Sequence, residues 1–160
     1  MKKKRILTMV LAMIMMLTTL ALPAAAAGDG SINLTNTVAG KKYELYRIVN
    51  LTMTETGDST LHEYTIVPEY LGFFKDLLGD EVTDAQAVAY VSAMENRGTD
   101  IAQFAEDMKK YLLDNGLEGT VVTAAGTTTL IENLDLGYYL LYPQGGLTAI
   151  CSMTSTAKDA

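Results

Sequence analysis

Residues 134–143 have the sequence Leu-Asp-Leu-Gly-Tyr-Tyr-Leu-Leu-Tyr-Pro. Five consecutive apolar or aromatic residues, 138–142, lie between a Gly and a Pro, which is typical of a short strand buried on both faces. A strand with one face in water would instead alternate between apolar and polar residues. The stretch therefore predicts a central strand that is covered on one face by a second sheet and on the other by helices.

Strand patterns lie both before and after this stretch. Ile32 and Leu34 alternate with polar residues, as in a strand with one buried face. A turn is predicted over 54–60, where Gly57 precedes Asp58. Seven strands are predicted in all, at 31–38, 41–49, 61–67, 120–124, 127–132, 138–142 and 147–153. The second of them should place Tyr43, Leu45 and Val49 on one face and Tyr46 and Ile48 on the other.

The pattern changes to a helical period between Pro68 and Gly116. Thr83 and Gln86 have the spacing of a capping box, in which each side chain satisfies a backbone N–H of the other residue. A third helix, capped by Thr99 or Asp100, has the clearest apolar stripe. That stripe consists of Ile101, Phe104, Ala105, Met108 and Leu112.

These helices come in one block rather than between successive strands, which disfavours an α/β layout. The predicted fold is mainly β with a helical insertion. It is an Ig-like β-sandwich of about seven strands, with three helices inserted at about 68–116 that pack on one sheet. Phe74, Phe104 and Met108 are expected to touch the sheet that contains 138–142.

Residues 1–27 have the features of a secretory signal. They begin with basic residues and continue with an apolar core over 6–22. A run of small residues comes last and favours cleavage near Ala26 and Ala27. The alternative is a retained membrane anchor, but the apolar run is short for a span. We expect one secreted domain over 28–160, with no membrane contact after cleavage.

Charge and cysteine content narrow the possible functions. The 160-residue chain has a formal charge of −7, and removing the signal removes four basic residues and makes it −11. Binding of nucleic acid is not expected, because phosphate contacts need clustered Lys and Arg. Cys151 is the only cysteine, so the domain contains no internal disulfide. Its alternating surroundings predict a small buried apolar residue and not a nucleophile.

Three stretches resemble one known family. They are Asn-Thr-Val-Ala-Gly-Lys-Lys-Tyr-Glu-Leu-Tyr-Arg-Ile at 36–48, Leu-Gly-Tyr-Tyr-Leu-Leu-Tyr-Pro at 136–143 and Ala-Ile-Cys-Ser-Met-Thr-Ser-Thr at 149–156. In this order, around a helical insertion, they resemble the N-terminal domain of Gram-positive sortase-assembled pilus shaft proteins, the isopeptide-forming fimbrial pilins. The resemblance covers nearly all of 28–160.

The resemblance implies a structural subunit of a covalent surface pilus that mediates adhesion. Its partners would be other pilin subunits and a sortase, and it would reside at the cell wall. The family's Leu-Pro-x-Thr-Gly sorting signal does not occur in these 160 residues, and its Tyr-Pro-Lys-Asn motif is replaced by Tyr142-Pro143-Gln144-Gly145. In the family, the lysine of this motif is the acceptor lysine, and we do not assign its role to Gln144. We expect either a truncated pilin or a secreted remnant.

A second class of function stays open, in which the domain is a stand-alone secreted binding module. Such a module would recognise a host or bacterial ligand through loops such as 52–61. The reading frame after codon 160 would distinguish the two, because a sorting signal there favours the shaft subunit.

The family chemistry suggests candidates for an intramolecular isopeptide bond. Such a bond needs a neutral, desolvated lysine beside an Asn or Asp and a buried acid. Lys41 and Lys42 are the candidate lysines, and Glu44 and Glu132 are the possible acids. The alternative, which we favour, is a pair of exposed lysines at a turn. If the intact mass of the secreted protein is lower than the mass expected from its sequence by one ammonia or one water, the bond is present.

No enzyme activity and no cofactor are expected. The only imidazole, His62, lies in a short strand, and no nucleophile elbow, phosphate loop or paired-cysteine metal motif occurs in the sequence. Glu55 and Asp58 could hold a calcium ion in their loop, but a solvated turn is the simpler interpretation.

The sequence after Met153 is polar and short. We therefore expect no further core strand there, which would leave a neighbouring strand, 32–38, with unpaired backbone groups at an open edge. We then expect residues 28–160 to have a tendency to self-associate. Native downstream residues or a peptide that supplies the complementing strand should make them more stable and less prone to self-associate.

Overall fold

The computed structural model describes residues 28–56, 58–94, 99–146 and 148–156. Within them it contains the strands β1 (Gly30–Thr35), β2 (Lys42–Thr56), β3 (Ser59–Ile66), β4 (Thr120–Thr123), β5 (Thr128–Leu134), β6 (Gly137–Pro143), β7 (Ile150–Met153) and β8 (Ser155–Thr156). Between β3 and β4 lie a 3-10 turn (Pro68–Tyr70) and the helices α1 (Leu71–Leu78), α2 (Asp84–Ser92) and α3 (Thr99–Asp114). The predicted signal and its cleavage site near Ala26 and Ala27 lie outside the described residues.

The strands form two antiparallel sheets. One has the order β5-β1-β8, and the other has the order β3-β2-β6-β7, with β4 also paired with β2. Because β4 and β5 belong to different sheets, the turn between them crosses the sandwich. Seven of the strands have four residues or more. The predicted fold, a β-sandwich of about seven strands with a helical insertion, is confirmed.

Strand β6 is buried on both faces, as its sequence predicts. Tyr139 and Leu141 pack between the two sheets with Ile32 and Leu34 of β1. Leu140 faces the opposite way, into the core beneath the helices. Each face of β6 therefore belongs to a different core.

The helical block packs on the β2–β6 sheet. Phe74, Phe104 and Met108 lie in one core with Leu140 and Tyr142, as predicted. The rings of Phe73 and Phe104 meet edge to face, with centroids 5.6 Å apart. The insertion is thus part of the domain core.

The helix boundaries follow from local capping. Thr83 and Gln86 form the predicted capping box at the start of α2, with the Thr83 hydroxyl accepting from the Gln86 N–H. Gly79 and Gly116 follow α1 and α3 with positive φ angles, which glycine adopts without steric cost. The predicted cap of α3 is wrong in position, because α3 already begins at Thr99.

Strand β2 differs from its predicted pattern because it contains a bulge. Its register against β6 shifts between Arg47 and Val49. A bulge adds one residue to one strand, so that later side chains change faces. Val49 therefore joins Tyr46 and Ile48 beneath the helices, whereas Leu45 stays between the sheets. The alternation alone had placed Val49 with Leu45.

The predicted turn over 54–60 and the predicted recognition loop over 52–61 are also corrected, because most of their described residues are in strands. Strand β2 continues to Thr56 and pairs with β3 from Val49↔Ile66 to Thr56↔Ser59. The first residue of β6, Gly137, is opposite Asn50, so β6 does not pair with β2 beyond that residue. The outer part of β2 and β3 is thus a two-stranded ribbon beyond the rest of the sheet, rich in threonine, a residue that favours strands.

A short strand forms after Met153, where no core strand was predicted. Ser155 and Thr156 of β8 pair with Ser31 and Gly30 of β1. This pairing covers only the start of β1. From Ile32 to Thr35, β1 pairs with β5 on one side, and no strand among the described residues pairs with its other side.

Candidate functional site

The densest group of polar side chains surrounds Glu44. Its carboxylate accepts hydrogen bonds from the hydroxyls of Tyr46 at 2.6 Å and Tyr142 at 2.9 Å, and from Nε2 of Gln144 at 2.8 Å. The two hydroxyl oxygens lie 3.0 Å apart. We call these four residues the Glu44 cluster.

The strand register explains this arrangement. Glu44 and Tyr46 are two residues apart on β2 and so share one face, and Tyr142 on β6 is directly opposite Glu44. The rings of Tyr46 and Tyr142 stack with centroids 5.7 Å apart. Gly119 leaves room for them, because a Cβ at Gly119 would lie 2.7 Å from the Tyr46 ring.

The hydrogen bonds set the ionisation of the cluster. The Tyr46 hydroxyl, with help from Gln144 and Tyr142, lowers the pKa of Glu44 against the opposing effect of burial. Burial, followed by the hydrogen bond to Glu44, raises the pKa of Tyr46. Burial also raises the pKa of Tyr142. Glu44 is therefore an ionised carboxylate held by two neutral phenols.

A second polar pair attaches α3 to the same region. Lys109 Nζ lies 5.6 Å from the centroid of the Tyr142 ring and donates to the Gly146 carbonyl at 3.3 Å. Glu106 lies 3.5 Å from Lys109 and accepts from the Ala149 N–H at 2.7 Å. These contacts join α3 to both ends of the connection between β6 and β7.

Among the described residues, no salt bridge joins a candidate isopeptide lysine to a candidate acid. Lys41 and Lys42 are both exposed, and no described carboxylate or carboxamide binds either ammonium group. Glu132 is exposed on β5, in the other sheet. Only Glu44 lies in a polar cluster, and its partners are tyrosines and Gln144. This environment favours the alternative interpretation of two solvated lysines.

The partners of Glu44 were not predicted from the sequence. Tyr46 was only assigned to one face of the second strand, and Gln144 was considered only as a departure from a family motif. One signal was present, a glutamate and a tyrosine two residues apart in a predicted strand that also contains Tyr43, Leu45 and Ile48. Their shared partner on β6 depends on the register, which the sequence alone does not define.

The groups considered for catalysis lie elsewhere. His62 is exposed on β3, opposite Met53. Cys151 lies on β7 beside Tyr138, and burial raises the pKa of its thiol to about 11, partly offset by the Tyr138 hydroxyl. Over the described ranges, no group of three or more His, Cys, Asp or Glu side chains could hold a metal ion.

The comparisons with known proteins add no relative. The chain matches no protein-family model and no curated protein. In the part of the chain that the structure describes, no helix has the length and apolar character needed to cross a membrane.

Proposed function

We propose that the chain is a structural subunit domain of a covalent bacterial surface pilus that mediates adhesion. The main supporting observation is where the three family-like stretches lie. Stretch 36–48 contains the first half of β2, stretch 136–143 contains β6, and stretch 149–156 contains β7 and β8. Strands β2, β6 and β7 are neighbours in one sheet.

The helical insertion supports the same proposal. It packs on the face of β6 that carries Leu140 and Tyr142, and Lys109 and Glu106 attach α3 to the β6–β7 connection. A subunit of a load-bearing polymer needs elements that do not separate easily. Partners would be other pilin subunits and a sortase, which acts through residues outside this stretch, and the location would be the cell wall.

The test is the covalent state of the protein on the cells that encode it. Cell-wall extracts boiled in SDS are probed with an antibody against residues 28–160. A ladder of multimers that disappears when the sortase genes are deleted supports the proposal. A single monomer band in the wall fraction, unchanged by the deletion, contradicts it.

A second candidate is a stand-alone secreted binding module, an adhesin that is not polymerised. The outer β2–β3 ribbon favours it, because Met53 and Leu61 are exposed there and Tyr64 lies at its base. Exposed apolar side chains on a projecting element are typical of an interaction site for a host surface ligand. In the same cultures, a monomer found in the medium and not in the cell-wall extract would support this candidate.

A further inference from the structure

Strand β7 is the last strand of its sheet, and its backbone groups point in two directions. The Thr154 N–H donates to the Gly137 carbonyl, and the register continues without a shift through Tyr139↔Ser152. In an antiparallel pair, every second residue bonds to the neighbouring strand. Ser152 therefore bonds to β6, while the N–H and C=O groups of Cys151 and Met153 face away from β6.

One end of this edge is already capped. The Ala149 N–H also faces away from β6, and Glu106 of α3 accepts it at 2.7 Å. The Met153 carbonyl accepts from the neighbouring Ser152 hydroxyl at 3.2 Å. Within the described ranges, no partner binds the N–H groups of Cys151 and Met153. These are the groups through which an extended chain could add to a sheet.

An apolar groove runs beside the open edge. It has a volume of about 830 Å³ and lies between β7 and the facing sides of α2 and α3. Val91 and Ile101 form part of the helical wall, and Tyr138 and Cys151 form part of the floor. Among the described residues that line it, none is Asp, Glu, Lys or Arg, and Met153 at its border is 51% exposed.

We propose that this edge and groove bind an extended, uncharged segment of another protein by strand addition to β7. The backbone of the segment pairs with Cys151 and Met153, and alternate apolar side chains enter the groove. An uncharged groove excludes charged side chains, because they would lose their hydration there without a partner.

The overall charge argues against a second copy as the occupant. Once the signal is removed, the chain has a formal charge of −11, so two copies repel each other. A partner without acidic residues in the docking segment meets no such repulsion at the groove. This interface is separate from the proposed function, since it requires neither polymerisation nor a pilus.

The first test uses a synthetic probe with the secreted chain. The probe is an end-capped, fluorescein-labelled heptapeptide that alternates threonine and valine, and its binding is followed by fluorescence anisotropy up to millimolar peptide. Two control peptides have methyl groups on the backbone nitrogens of the threonines or of the valines. A strand added to an edge pairs through only one of its sides. Methylation of one set should therefore weaken binding by at least about tenfold, and methylation of the other should not.

Amide hydrogen exchange locates the binding. With the peptide present, the Cys151 and Met153 amides should become protected, whereas Ser152, already bonded to β6, should not change. Ala102→Arg places a charge at the groove from an exposed position and should weaken binding by at least about tenfold. Gln103→Arg, the next position on α3 and outside the groove lining, is the matched control and should bind like the unchanged chain.

Three results would overturn the proposal. The first is no protection of Cys151 and Met153 at millimolar peptide. The second is equal binding of both methylated peptides, which would indicate an apolar groove without strand pairing. The third is protection of the same amides without peptide as the protein concentration rises, together with dimers in light scattering. That result would identify a second copy as the occupant.

Discussion

At the scale of single residues, Glu44 differs most from its predicted role. An acid that polarises an isopeptide bond must keep its proton, which requires a raised pKa. The hydrogen bond from Tyr46, with those from Gln144 and Tyr142, instead lowers the pKa of Glu44. Glu44 is therefore suited to fix two buried tyrosines between β2 and β6.

We predict that Glu44→Gln destabilises the domain by about 2 kcal/mol at pH 7, because hydrogen bonds to a charged acceptor are lost. A lowered folded pKa contributes stability that is present above the unfolded value of about 4.5 and is lost as pH falls through the folded value. The difference between variant and unchanged chain should therefore shrink below about pH 4.5. Urea unfolding between pH 3 and pH 7, followed by circular dichroism, measures it.

The matched control for this prediction is Glu118→Gln, because Glu118 is exposed and no described residue binds its side chain. It should leave the urea midpoint unchanged across the same pH range. Equal midpoints for the two variants would show that the Glu44 cluster contributes nothing to stability.

Cys151 provides a second prediction at this scale. Burial raises the pKa of its thiol from about 9 to about 11, so the reactive thiolate should be about 100-fold rarer than in the unfolded chain. We expect iodoacetamide at pH 8 to modify the folded chain at least about tenfold more slowly than the chain in urea, measured by mass spectrometry, because the thiolate of higher pKa is rarer but also more nucleophilic. A thiol that reacts equally fast in both states would contradict the unreactive role.

Single residues were only partly predictable from the sequence. The buried face of Ile32 and Leu34 follows from local alternation, and the structure agrees. The partners of Glu44 do not, because Tyr142 and Gln144 are about 100 positions away in the chain. Such pairs depend on the register between strands, which is a property of the folded sheet.

At the scale of secondary-structure elements, the helices were the more predictable part. The capping box at Thr83 and the apolar stripe of α3 are local patterns, and both appear as predicted. Strand β2 was less predictable, because its bulge and its length depend on β6 and β3. A bulge leaves no clear mark on the alternation of a strand rich in apolar residues.

Helix α3 allows a direct test of how firmly the insertion is docked. Phe104 is 3% exposed and lies edge to face with Phe73. We predict that Phe104→Ala lowers the free energy of unfolding by about 3 kcal/mol, because it leaves a cavity in the core. Leu113→Ala on the same helix is the control, since Leu113 is 59% exposed and should change stability by less than about 0.5 kcal/mol. A loss for Phe104→Ala as small as the control would mean that the insertion is docked elsewhere.

At the scale of the whole molecule, β6 joins two cores that would otherwise be separate. The core between the sheets includes Leu141, and the core beneath the helices includes Leu140. Neither side chain has any solvent exposure. Because these neighbouring residues belong to different cores, a shift of β6 must disturb both, and the domain should unfold as one unit.

We therefore predict that Leu140→Ala and Leu141→Ala each cost about 3 kcal/mol. In both variants, the helical signal at far-ultraviolet wavelengths and the near-ultraviolet signal of the tyrosines should be lost at one common urea midpoint. The matched control is Leu130→Ala, because Leu130 lies in a strand but is 55% exposed. If Leu140→Ala lost its helical signal at lower urea than its tyrosine signal, the helical insertion would be a separate folding unit. Coincident loss in Leu141→Ala, whose side chain faces away from the helices, would show that β6 transmits the instability from one core to the other.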